Sequence, residues 1–145
     1  MIASNVVQIE NPLNEWSWAY PTLESIHLLG IVCVLGAVAL MNFRLLGVVT
    51  HSSPSRIWRD TLPLTLIGLT VAITSGLLLF TIALQEYAQN RAFQLKMVAL
   101  VAAIIFYFTA VRSAANRDRT ASMVAIISLV LYALIPLGGI LLGYD

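Results

Sequence analysis

Charged residues in this chain fall in clusters separated by long uncharged runs, and the length of those runs constrains the fold more than any other feature. Between Glu24 and Arg44 the only titratable side chains are His27 and Cys33, and Thr61 to Gln85 carries no charge. Ala92 to Val111 carries only Lys96, and Thr120 to Tyr144 carries none. A hydrocarbon core about 30 Å thick takes roughly 20 helical residues to cross, and an open strand edge cannot be satisfied in lipid. The spacing therefore predicts an all-α integral membrane protein. Its four transmembrane helices fall near 20–47, 61–85, 92–114 and 119–142, bundled into one membrane domain over 20–145.

Composition sharpens the class. The chain of 145 residues is 59% hydrophobic and 10% charged, where soluble domains average about 25% charged, so a soluble globular enzyme is excluded. Eight Lys and Arg against seven Asp and Glu leave a net charge of +1. That balance lacks the basic footprint of a phosphate-backbone binder, and nucleic acid is not an expected partner. The single cysteine, Cys33, rules out an internal disulfide, a CxxC redox pair, a zinc ribbon and a CxxCH haem attachment site.

Orientation follows from the basic residues, because short cytoplasmic loops hold the excess of Lys and Arg. Arg44, Arg56 and Arg59 flank the first connection and Arg112, Arg117 and Arg119 the third, while Arg91 and Lys96 lie towards the other side. Both arginine-rich connections are expected in the cytoplasm and both termini outside, in a bacterial inner membrane. Residues 1–19 lack the pattern of a cleaved signal peptide. Their apolar residues Ile2, Val6, Val7 and Ile9, followed by Trp16, Trp18 and Tyr20, suggest a segment lying on the outer interface.

Helices in lipid associate through close approach of small residues, since leucine against leucine gains little over leucine against an acyl chain. Gly68, Ala72 and Gly76 stand at four-residue spacing and form one narrow face of the second helix. Ala99 with Ala103, Ala110 with Ala114, and Gly139 with Gly143 read as further contact faces, and packing within one chain is the expected use. Pro136 is expected to loosen the fourth helix near its outer end.

Ionisable groups inside a span are costly and so are candidates for function. Glu24 and His27 stand three apart on one helical face, with His27 about 10 Å past Tyr20 and Lys96 about 6 Å into its own helix at 1.5 Å per residue. All three fall in one outer layer. One reading is structural: an ion pair between Glu24 and Lys96, with His27 hydrogen-bonded to the carboxylate, clamps the first helix to the third. The other is a ligand site. A histidine oriented by a carboxylate offers its free nitrogen to haem iron or a metal, with Lys96 and Arg91 at the rim to meet haem propionates and Met97 as a further soft ligand suited to copper. No second histidine lies at that depth, because His51 is on the opposite side, so a haem would be five-coordinate, use Met97, or be shared with a second chain.

The remaining polar residues carry less. Cys33 points away from His27 and reads as packing. Arg44 falls on the His27 stripe some 25 Å deeper and is expected to anchor the helix end. Asn42 can hydrogen-bond across helices, Thr70, Thr74 and Ser75 can bond their own helix carbonyls, and Tyr107 reads as core packing before proton path. No nucleophile and base pair, phosphate loop or zinc signature is present.

The run Tyr20-Pro21-Thr22-Leu23-Glu24-Ser25-Ile26-His27-Leu28-Leu29-Gly30, with Asn42-Phe43-Arg44-Leu45-Leu46-Gly47, Thr74-Ser75-Gly76 and Asn90-Arg91-Ala92-Phe93-Gln94-Leu95-Lys96, resembles an uncharacterised family of small four-helix bacterial inner-membrane proteins over nearly the whole chain. More distantly, a histidine early in the first helix followed by a glycine-rich helix resembles the membrane domain of the copper-resistance D family, and the architecture is similar to haem b membrane anchors. The resemblance implies a four-helix architecture and a motif set containing Glu24, His27, Arg44 and Lys96, and brings no activity with it. Asn42 stands where the family pattern often has an aspartate.

Three functions are expected in order. The first is a non-catalytic membrane protein whose outer pocket of Glu24, His27 and Lys96 binds haem b or a metal, as an accessory subunit of an electron-transfer assembly. The second is a copper or proton conduit, for which Ser75, Thr74, Tyr107 and Asn42 would have to continue the polar path inward. The third is a structural or assembly subunit, as a homo-oligomer or within a larger membrane complex, with no cofactor.

Overall fold

The computed structural model describes residues 12–49, 51–82, 89–117 and 121–142. A short 3-10 turn, Pro12–Glu15, leads into α1 (Ala19–Leu45) and then α2 (Pro54–Ile82). The third rod is composite: α3 (Arg91–Phe106), a π-helical turn (Tyr107–Val111) and α4 (Arg112–Asn116), followed by α5 (Ser122–Leu142). No strand occurs among the described residues. Ala19–Leu45, Pro54–Ile82 and Phe93–Asn116 are long and apolar enough to cross a membrane, while the apolar stretch Ser122–Ile135 is shorter. Residues 1–11 of the expected interfacial segment, Gln85, Arg119 and Gly143 lie outside the described residues. So do the side chains of Pro136 and Gly139, although α5 runs through both positions.

Helix ends follow local chemistry. Gly47 adopts φ 77°, and the Gly47 and Val48 N–H groups donate to the carbonyls of Arg44 and Phe43 at 3.0 and 3.1 Å, a glycine-terminated turn that closes the last carbonyls of α1. The guanidinium Nε of Arg44 donates to the Ser52 carbonyl and ties the connection back to the helix end. Asn90 caps α3, its Oδ1 accepting the Phe93 N–H at 3.2 Å.

The second helix begins seven residues before the expected position 61. Pro54 supplies a backbone angle ready for the first helical turn, and the Ser53 carbonyl accepts the N–H groups of Arg56 and Ile57. The charges at Arg56, Arg59 and Asp60 mark the exposed side of an amphipathic turn rather than a loop, with Arg56 and Asp60 paired at 4.0 Å across that exposed face. Pro54, Trp58, Thr61 and Thr65 line its buried side.

The helices form two pairs, α1 with α2 and α3 with α5, which meet through α1–α5 and α2–α4 contacts. The largest buried residues gather towards the end that carries the arginine-rich connections. There Met41, Leu45, Trp58, Tyr107, Val111, Ala115, Ala125 and Tyr132 form the core. Trp58 packs on Tyr107 at 5.0 Å between ring centroids, and Tyr132 meets Tyr107 edge-on at 6.4 Å. The Ala121 N–H donates to the Leu45 carbonyl at 3.1 Å, joining the start of α5 to the last turn of α1.

Candidate functional site

His27 continues the buried stripe of α1 that runs through Gly30, Val34, Ala37, Val38, Met41 and Leu45, so the imidazole points at α2 and is half-buried. Its Nδ1 lies 2.8 Å from the Ala72 carbonyl oxygen and 3.1 Å from Ser75 Oγ. A carbonyl only accepts, so Nδ1 carries a proton that it donates there. The Ser75 hydroxyl gives its own proton to the Val71 carbonyl at 2.6 Å, which leaves its lone pairs facing the ring. In the neutral imidazole, Nε2 then keeps its lone pair, with no hydrogen-bond partner among the described residues.

Glycines make this approach possible. A methyl group built on Gly76 would lie 2.9 Å from His27 Cε1, so the ring lies against bare backbone. Further along the pair, a methyl on Gly68 would meet the Gly30 carbonyl oxygen at 2.9 Å, and one on Gly30 would meet the Ala72 nitrogen at 2.7 Å. Gly68, Ala72 and Gly76 thus line the side of α2 on which α1 lies. Cys33 is half-buried beside them, 2.9 Å from the position of a Gly68 methyl.

The expected clamp between Glu24 and Lys96 does not form. Glu24 is exposed and makes no ion pair among the described residues, and the group orienting His27 is a carbonyl of α2 instead of the carboxylate. The reason is helix pairing: α1 packs along α2, and α3 packs on α5. Lys96 and Met97 are half-buried and Arg91 is exposed. Phe80 of α2 stacks on Phe93 of α3 at 5.5 Å and 9°. Lys96 lies one turn inward from Phe93 and Gly76 one turn inward from Phe80, which puts Lys96 and the ring of His27 in one layer. Among the described residues no three of His, Cys, Asp and Glu converge as a metal site.

A second polar group, nearer the arginine-rich end, has a different character. Asn42 is fully buried, and its Nδ2 donates to the Val38 carbonyl at 2.9 Å and to Ser128 Oγ on α5 at 3.0 Å. Tyr107, at the start of the π-helical turn, is also fully buried, near the hydroxyls of Thr61 and Thr65. Asn42 Oδ1 and the Tyr107 hydroxyl lack a partner with hydrogen-bond geometry. Thr61 and Thr65 turn their hydroxyl protons back onto α2 carbonyls. On α2 the buried hydroxyl of Ser75 is ten residues from that of Thr65, about 15 Å at 1.5 Å per residue, with Gly68 and Ala72 between. Thr74 is exposed. Between Thr65 and Ser75 no buried polar side chain of α2 intervenes among the described residues.

The residues missed from sequence are Ala72, acting through its carbonyl, and Ser75 as a partner for the ring. Gly76 at the depth of His27 is the available signal, since a bulky side chain and a missing one at matching depth mark a place where a ring can lie. No sequence signal marks the π-helical turn.

No curated protein and no solved structure matches the chain, and the likeness to the copper-resistance D membrane domain therefore gains no support. The family of unknown function DUF6644 matches residues 15–144, a span that holds all four helical rods and every residue of the His27 site, and the chain belongs to that family.

Proposed function

We propose that this chain is a non-catalytic four-helix protein of a bacterial inner membrane, with both termini outside, that binds haem b or a copper ion through His27 near its outer face. One observation carries the reading. The Nδ1–H of His27 is tied to the Ala72 carbonyl and Ser75 over the bare backbone of Gly76, which leaves Nε2 free. Ligating histidines are commonly oriented in this way, with the other ring nitrogen donating to a backbone carbonyl. Lys96, in the same layer, and Arg91 beyond it supply positive charge suited to propionates, and Trp16, Trp18 and Tyr20 stand exposed at the start of α1, as headgroup-level aromatics do.

At this end of the bundle His27 is the one imidazole the chain offers. The second ligand then comes from Met97, from His27 of a second copy, or from a partner subunit in an electron-transfer assembly. Absorption spectra of the purified chain, with haem added and with copper measured by elemental analysis, test the reading. A Soret band or stoichiometric copper that disappears in His27→Ala and weakens in Lys96→Ala is the expected result. Absence of both from the unaltered chain overturns it and leaves His27 as a tie between α1 and α2.

A further inference from the structure

Opposite the core side of the third rod lies an open groove of about 420 Å3 lined by Thr109, Arg112, Ser113, Asn116 and Arg117. The five residues recur at helical spacing on one face, and all are exposed, whereas Tyr107, Val111, Ala114 and Ala115 turn inward. Every lining side chain can donate a hydrogen bond and none is a carboxylate. Arg112 and Arg117 form no ion pair among the described residues. Ser113 and Asn116 likewise have no hydrogen-bond partner among them, while Thr109 uses its proton on the Ile105 carbonyl at 2.6 Å.

Four side chains whose donors have no partner among the described residues, two of them guanidiniums, suit a phosphate group, which guanidinium binds through paired N–H donors. The carbonyls at the end of α4 disfavour an anion by roughly half a charge, which two guanidiniums exceed. The same face continues away from the groove as Ile105, Val101 and Val98, all exposed and apolar. A ligand seated there meets cationic donors at one end and a hydrocarbon track of about 11 Å at 1.5 Å per residue below them.

We propose that this face binds an anionic phospholipid, with its phosphate held by Arg112, Ser113, Asn116 and Arg117 and an acyl chain along Ile105, Val101 and Val98. The site is independent of His27 and of any cofactor. Basic residues at the cytoplasmic border of a span attract anionic lipid, each contributing severalfold to affinity.

Native mass spectrometry of the full chain in detergent, titrated with phosphatidylglycerol or phosphatidylcholine, tests the proposal. Phosphatidylglycerol is expected to bind about tenfold more tightly than phosphatidylcholine, with the preference lost in R112Q/R117Q and partly kept in R112K/R117K, which retains charge without the guanidinium fork. Equal binding of the two lipids, or an unchanged preference in R112Q/R117Q, overturns it. Inorganic phosphate at millimolar concentration separates the sources. Failure to displace phosphatidylglycerol supports a lipid held by headgroup and chain together, whereas phosphate binding as tightly as the lipid overturns the acyl-chain half of the site.

Discussion

At the arginine-rich end, Trp58, Tyr107, Tyr132 and Leu45 interlock residues from all four rods, whereas at the opposite end the hydrogen bonds of His27 among the described residues join α1 to α2. The first region is held by large side chains filling space between both helix pairs. The second is held by the absence of side chains, at Gly30, Gly68 and Gly76, where two backbones come together. Polar groups follow the same division. Asn42 and Tyr107 are fully buried with orphaned atoms, while the ring of His27 is hydrogen-bonded at Nδ1 and has no partner at Nε2 among the described residues. A close-packed end suits a fixed scaffold. An end with a spare lone pair and exposed helix faces suits binding.

The contrast breaks first at Tyr107. Truncation of a large buried aromatic removes packing from all of its neighbours and costs about 3–5 kcal/mol. Tyr107→Ala is therefore expected to abolish or severely weaken folding in mixed micelles, followed by denaturant titration. Tyr107→Phe keeps the ring and deletes an unpaired hydroxyl, so its stability should stay within about 0.5 kcal/mol of the parent or rise. A harmless Tyr107→Ala would show that the core lies elsewhere.

A smaller effect is expected where backbones touch. Gly68→Val places methyl groups against Cys33 and the Gly30 carbonyl and should cost about 1–3 kcal/mol in the same titration, the usual range for overpacking. Loss of no more than a few tenths would mean that α1 and α2 slide apart freely. Glu24 sharpens the comparison from the other side. Being exposed and unpaired among the described residues, it should tolerate Glu24→Gln within about 0.5 kcal/mol. A loss well above that would restore the carboxylate clamp.

Much of the architecture was legible from charge spacing alone. The boundaries of α1 and of the third rod fall within about two residues of those expected, because Gly47 and the arginines that follow Val111 end the apolar runs sharply. The start of α2 was hidden because Arg56, Arg59 and Asp60 resemble a loop. Pro54, Trp58, Thr61 and Thr65, recurring every three to four residues, were the better sign, since an amphipathic turn can carry charge on one face and core on the other. The His27 site was half legible. Its histidine and its glycine were visible, but the atom that orients the ring is a backbone carbonyl 45 positions away in sequence.

The all-helical class, the apolar runs and the grouping of arginines at one end were determined by the sequence itself, because hydropathy and the cost of burying charge act on each segment separately. Which helices pair, where the ring of His27 points and why Glu24 is left outside were decided only by tertiary structure. Those outcomes depend on the rotation and crossing of whole rods, and a single turn of either rod would give the imidazole a different neighbour.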